Sequence, residues 1–237
     1  LPDSFADING DGLSDLIYLD TLSSARVAVL YGTTDAQQLP ATLDELATGD
    51  GSKGFVVSAQ FTIGGFDVGD VNGDGQNDLI IANPSATPLG RNEAGIVYVV
   101  FGEEDIPPVL DIGDLSGSSG FEIHGAFPSD RIGSILTDAI RNRAVQSEDV
   151  NGDGIDDIVI SAPNAFRSAL SDIGEIAVVY GASTHPDAVD LLNVRQSPGV
   201  QGAIIGTTAD ILQFGAGLTV GQFDADAQAD VIVTSTD

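Results

Sequence analysis

A chain of 237 residues with 8 Lys plus Arg against 36 Asp plus Glu carries a formal charge of −28 and a pI near 4.1. Its 42% hydrophobic content and mean hydropathy of +0.15 are too apolar for a disordered acidic tail, and the charge repels nucleic acid and anionic membrane surfaces while favouring cations. Cys is absent, which excludes disulfides and thiolate metal sites, no run nears the roughly eighteen apolar residues that span a bilayer, and the lack of Met even at residue 1 marks the chain as an expected part of a longer product.

In chain order, a short apolar stretch over Leu1–Ala6, expected to be a strand cut short, leads into an acidic string, DINGDGLSD, at Asp7–Asp15. A β-branched run, DLIYLD, follows and is too short for a helix. A second apolar run, ARVAVLYG, ends in aromatic-Gly at Gly32, a polar segment holds LDEL at 43–46, and a Gly-led stretch, GFVVSA, begins at Gly54. The second unit repeats this order: DVNGDGQND at Asp70–Asp78, DLIIANP, GIVYVVFG to Gly102, LDIGDL at 110–115, and GFEIHGA from Gly120. The third has DVNGDGIDD at Asp149–Asp157, DIVISAP, GEIAVVYG to Gly181, VDLL at 189–192, and GAIIGT from Gly202. An eroded fourth string, QFDADAQAD at Gln222–Asp230, precedes DVIVTS.

A spacing of roughly 60–80 residues between copies is that of a repeated supersecondary unit. Strand, acidic loop, strand, turn, strand, long loop, strand reads as an all-β chain built of four-stranded antiparallel blades in a β-propeller. The expected blades cover 1–60, 61–126 and 127–207, with a half blade at 208–237. Three and a half blades do not close a ring, since propellers typically have about four to eight. The remaining blades are expected outside this sequence or in a second chain. Tyr31, Phe101 and Tyr180 recur at one blade position and are assigned to the core, as are Tyr98 and Phe121.

The loops carry the chemistry. A hard cation such as calcium takes about six to eight oxygens, and alternate residues of a tight loop can present them. The predicted ligands are Asp7, Asn9, Asp11, the carbonyl of Leu13 and Asp15 in the first loop. In the second they are Asp70, Asn72, Asp74, the carbonyl of Gln76 and Asp78, and in the third Asp149, Asn151, Asp153, the carbonyl of Ile155 and Asp157. Gly in sixth place permits the positive-φ turn. Asp156 and Glu148 are expected to face solvent. A fourth, weaker site over Gln222, Asp224, Asp226, Gln228 and Asp230 is left open, because Gln222 replaces the first Asp and Ala227 the turn Gly.

An EF-hand would need Glu in twelfth place and flanking helices, whereas Tyr18, Ile81 and Ile160 stand there inside β-branched runs. Magnesium suits the loop less well, since it demands near-octahedral geometry and retains several waters. Three carboxylates about 4–5 Å apart at an effective dielectric of about 20 repel by roughly 3–4 kcal/mol per pair. Against a domain stability of about 5–15 kcal/mol, that repulsion calls for a cation.

Little else suggests catalysis. His124 lies in a strand pattern and His185 beside Pro186, and no G-x-S-x-G elbow occurs. The GDG strings lack the third Gly of a dinucleotide fingerprint. Asp114-Leu115-Ser116-Gly117-Ser118 spells the D-x-S-x-S of metal-dependent adhesion sites, but its place in a connecting loop favours an ordinary turn.

The acidic loop, its apolar run and the closing Ala162-Pro163 or Asn83-Pro84, with Phe214-Gly215 opening the last unit, resemble the FG-GAP repeat of integrin α-subunit propellers and related bacterial secreted proteins. The resemblance implies a seven-bladed propeller with calcium in hairpin loops on one face. It also implies an extracellular or cell-surface role in adhesion, binding a protein or glycan, without catalysis. The alternative is a non-catalytic propeller appended to a secreted hydrolase such as a phospholipase. The first unit departs from the pattern, with Asp20-Thr21 in place of Ala-Pro and no Phe-Gly opening.

Overall fold

The β-branched run after each acidic loop becomes the second strand of an antiparallel pairing, and after the second and third loops both of its faces are buried. A computed structural model describes residues 4–20, 26–35, 39–134, 144–165, 174–207 and 212–236. Nearly all of its regular structure is strand. β1 (Ser4–Ala6), β2 (Asp15–Asp20), β3 (Arg26–Leu30) and β4 (Gly54–Ser58) pair in succession, each antiparallel to the next. β5 (Gly65–Gly69), β6 (Asp78–Asn83), β7 (Ile96–Val100) and β9 (Gly120–His124) do the same. So do β10 (Val145–Glu148), β11 (Asp157–Ala162), β12 (Glu175–Val179) and β14 (Gly202–Gly206). β15 (Leu212–Gly221) and β16 (Asp230–Thr236) form a lone hairpin. These are the sheets of a partial β-propeller. Of the strand expected over Leu1–Ala6, Ser4–Ala6 is seen as strand, and residues 1–3 lie outside the described residues, as does Thr21.

The long connecting loops contain more structure than the sequence pattern indicates. LDEL opens α1 (Leu43–Thr48), capped by the Thr42 hydroxyl accepting from the Glu45 amide. LDIGDL supplies β8 (Val109–Asp111) and a single 3-10 turn, and VDLL supplies β13 (Ala188–Asp190) and α2 (Leu191–Gln196). β8 adds parallel to β4 of the preceding sheet, and β13 likewise to β9. Each connector thereby covers the outer edge of its neighbour, where unpaired amides would otherwise face solvent. Arg91 reinforces the second of these junctions. Its guanidinium grips both oxygens of Asp190 at 2.7 and 2.8 Å and also donates to the Gly125 carbonyl.

The core lies between successive sheets. In β6, Leu79 and Ile81 pack toward the first sheet with Ile17, Val29 and Phe55, while Ile80 and Ala82 pack toward the third with Val145, Ile158 and Ile160. Alternate side chains thus fill two different interfaces, and for that reason the strand reads as a continuous apolar run. Tyr31, Tyr98 and Phe121 are buried, and Phe101 and Tyr180 pack against the core clusters. At the two ends of the stack burial falls away: Phe5 is 62% exposed and Ile232 47%.

The stacking predicts where truncation hurts. Ile80→Ala, at a fully buried position between two sheets, should lower unfolding free energy by about 2–5 kcal/mol. Ile232→Ala on the terminal hairpin should cost less than about 1 kcal/mol. Urea titration followed by circular dichroism compares them, and equal losses would contradict the two-sided core.

Candidate functional site

Each acidic loop is a turn wound around its own carboxylates. In the second loop the Asp70 carboxylate accepts from the amides of Gly73 (2.7 Å), Asp74 (3.1 Å) and Gly75 (2.9 Å). Asn72 Oδ1 accepts from the Asp74 amide while its Nδ2 donates to Asp74 Oδ2, and Asp74 Oδ1 accepts from the Gln76 amide at 2.8 Å. The third loop repeats this pattern with Asp149, Asn151, Asp153 and Ile155. The first follows it with Asp7, Asn9, Asp11 and Leu13. The turns need left-handed backbone at the fourth and sixth places, which glycine adopts without steric cost: φ is 73° and 91° at Gly73 and Gly75. The requirement at the fourth place goes beyond the sequence reading, which singled out the sixth.

The ninth residue does something different from the others. Asp15, Asp78 and Asp157 are fully buried at the start of the second strand. One oxygen of each takes the amide of the second loop residue: Ile8 at 2.8 Å, Val71 at 2.9 Å, Val150 at 3.1 Å. The other takes the amide of the glycine that ends the third strand: Gly32 at 2.8 Å, Gly102 at 2.9 Å, Gly181 at 3.0 Å. A side chain on that glycine would collide with neighbouring main chain, a Cβ at Gly102 falling 2.4 Å from the Asn77 carbonyl oxygen. The aromatic-Gly ending seen in the sequence therefore belongs to the loop's machinery as well as to the strand.

Burial pushes these carboxyls up from their ordinary range, and the neighbouring loop carboxylates push them further against the pull of the two amides. Asp78 rises to about 7 beside Asp74 and Asp70, Asp157 to about 6 beside Asp153, and Asp15 rises in the company of Asp11 and Asp7. Among the described residues no basic side chain pairs with them.

The predicted ligands of the first three loops therefore gather on one turn each, with an all-oxygen donor set and an excess of uncompensated negative charge. That chemistry fits a hard divalent cation. In the arrangement described, the first and fifth carboxylates are engaged with main-chain amides. Among the described residues no three His, Asp or Glu side chains converge as a ready-made cage.

The fourth loop keeps part of the pattern. Asp224 accepts from the Asp226 amide, Asp226 from Gln228, and Asp230 from Phe223. Gln222 instead donates to the Ala227 carbonyl, and neither Ala225 nor Ala227 takes a positive φ. The clasp made elsewhere by the first Asp is missing.

Two solvent assignments come out differently. Glu148 is exposed, but Asp156 is half-buried and its Oδ2 accepts from the Asp70 amide of the preceding unit at 3.0 Å. The alternation that placed Asp156 outward ignored the neighbouring blade, which covers that side. His185 stacks on Phe121 with ring centroids 4.1 Å apart, its Nε2 lies 3.2 Å from the Val71 carbonyl, and burial lowers its pKa. His124 contacts Glu122 at 2.5 Å. Ser116–Ser119 form a turn in which Ser119 and Gly120 donate to the Ser116 carbonyl, as expected of an ordinary connection.

The FG-GAP repeat family matches residues 64–100 and 142–179. The chain is 29% identical over 166 residues to phosphatidylinositol-glycan-specific phospholipase D of Rattus norvegicus, covering 70% of this chain and 17% of that protein. It is 32% identical over 113 residues to the protein of that name in Homo sapiens, covering 48% and 12%. It is 32% identical over 120 residues to integrin alpha pat-2 of Caenorhabditis elegans, covering 51% and 8%. The chain thus spans less than a fifth of the length of these curated relatives.

Removing the Asp78 carboxylate should leave the Gly102 amide without an acceptor and the Val71 amide with only the Gly69 carbonyl at 3.2 Å. Asp78→Ala is expected to destabilise the fold by at least roughly 1–3 kcal/mol, the cost of the orphaned Gly102 donor. Asp224→Ala, on the exposed fourth loop, should cost less than about 1 kcal/mol. Chemical denaturation of the two variants measures the difference, and similar midpoints would count against the double clasp.

Proposed function

We propose, for a chain that is an FG-GAP repeat protein of partial-propeller fold, a calcium-stabilised and non-catalytic binding module of an extracellular or cell-surface protein. The single observation that carries this reading is the threefold repetition of one all-oxygen loop, buried at its ninth carboxylate and lacking a basic counterpart among the described residues. Asp7, Asn9, Asp11, the Leu13 carbonyl and Asp15 would hold one ion, with the corresponding residues of the second and third loops holding two more. Bound there, an ion would supply the positive charge that the loop's oxygens coordinate. The chain's own residues fix the turn, and the turn fixes the hairpin between the first and second strands of each sheet.

The role of such a module is to display loops. FG-GAP repeats build a non-catalytic fold, and both histidines are engaged in packing and local contacts. The likeness to an integrin alpha supports adhesion through an extracellular protein or glycan. The likeness to a phospholipase D supports a second reading, a propeller that accompanies a secreted hydrolase domain. Calcium has the same structural part in both. Loops of modest affinity suit the calcium-rich exterior of a cell, and a formal charge of −28 disfavours nucleic acid as a partner.

Metal counting on the purified chain, paired with thermal melts, tests the reading. Three calcium ions per chain are expected. Each filled site at a hundredfold excess over Kd should contribute about 2.7 kcal/mol, or about 5–10 °C in Tm for a chain of this size. A chelator should reverse the gain, and a melt indifferent to calcium and chelator would overturn structural metal binding.

A further inference from the structure

The acidic loops are arranged in series. The eighth residue of each reaches the first residue of the loop before it. The Asn77 amide donates to the Asp7 carbonyl at 2.9 Å while Asn77 Oδ1 accepts from the Asp7 amide at 3.1 Å. One unit along, the Asp156 amide donates to the Asp70 carbonyl at 3.0 Å and Asp156 Oδ2 accepts from the Asp70 amide at 3.0 Å. At the last junction the Ala229 amide donates to the Asp149 carbonyl at 2.8 Å, and alanine has no side chain to return the bond.

The seventh residue adds packing to these bonds. Its side chain lies over the fourth-place glycine of the preceding loop, so that a Cβ on Gly10 would fall 2.9 Å from Gln76 Oε1. A Cβ on Gly73 would fall 3.0 Å from Ile155 Cδ1, and one on Gly152 2.7 Å from Gln228 Nε2. The seventh residue would offer its own loop a carbonyl, and the first residue of the preceding loop would offer that loop a carboxylate. One rigid pair of residues therefore fixes an oxygen donor in two loops at once.

We infer that Asn77 and Asp156 are positioning residues that couple adjacent cation loops, so that filling one loop raises the affinity of its neighbour. The inference rests on the calcium reading above. Ordering the seventh carbonyl of one loop around an ion holds the eighth residue in place. The eighth residue in turn holds the main chain of the neighbour's first ligand, and linkage makes the effect mutual. The second and third loops should be coupled through Asp156, the first and second through Asn77, and the fourth most weakly for want of a side-chain bond.

A calcium titration of the full chain followed by NMR provides one reporter for each loop. The Gly12, Gly75 and Gly154 amides donate to Asp7, Asp70 and Asp149 respectively. In the unmodified chain the three resonances should move together, more steeply than a single-site isotherm. Asp156→Ala should shift the Gly75 midpoint to about fivefold higher calcium or more, although Asp156 is not itself a predicted ligand of that loop, and should separate it from Gly154. Asp156→Asn keeps the acceptor and removes the charge, so it should retain the shared midpoint. If it behaves as the alanine variant does, the effect is simple electrostatics and the coupling is overturned. Asp153→Ala provides an arm that leaves the junction intact: disabling the third loop should still weaken the second about fivefold, and an unmoved Gly75 midpoint would overturn the inference even if Asp156→Ala failed to fold. Three ions binding independently would refute coupling while sparing the calcium reading, whereas no uptake at any loop would refute the calcium reading itself.

Discussion

A carboxylate buried where two strands and a turn meet organises each repeat. Asp78 joins the amide of Val71, at the head of its own loop, to the amide of Gly102, at the end of the strand after next. Asp15 and Asp157 do the same. Each bond alone is an ordinary charge-assisted hydrogen bond, but the pair ties the loop to the sheet at the strand ends, where the regular ladder stops. Burying the anion is unfavourable, as the rise of Asp78 to about 7 shows. The surrounding carboxylates make it more so, against the pull of the two amides.

The stacking of sheets follows from the same point. Because the second strand starts from a buried Asp, its register is pinned, and alternate residues are committed to opposite faces. Leu79 and Ile81 then serve one interface and Ile80 and Ala82 the next. The loops leave the sheets at equivalent positions, so that residue eight of one loop falls beside residue one of the loop before it. Regular stacking of the cores thus places the loops edge to edge.

Much of this was legible in the residues. The runs DLIIAN and DIVISA read as buried strands because they are short and rich in β-branched residues, and the sixth-place glycine marked the turn. What could not be read was anything decided between units. The three-residue strands β8 and β13 have no pattern of their own and exist because an outer edge in the preceding sheet needs a partner. Asp156 looked like a solvent residue because local alternation knows nothing of the neighbouring Asp70 amide. The aromatic-Gly ending was visible as a recurrence, but its link to an Asp 24 residues earlier is a fact of tertiary structure.

The fourth loop separates the two layers of this design. It retains the ladder in which Asp224, Asp226 and the Gln228 amide follow one another, since that ladder needs only short-range bonds. It has lost the glycines, the first carboxylate and the side chain at place eight, which are the features that wind the turn around its first carboxylate and join it to the loop before. Local turn chemistry can persist after such losses because each bond in it closes within two residues. The wider clasp cannot, because it requires left-handed backbone, a carboxylate at place one and a returning side chain to be present together. The substitutions at Gln222, Ala225, Ala227 and Ala229 therefore act as one change, which leaves a turn where the other units have a clasp.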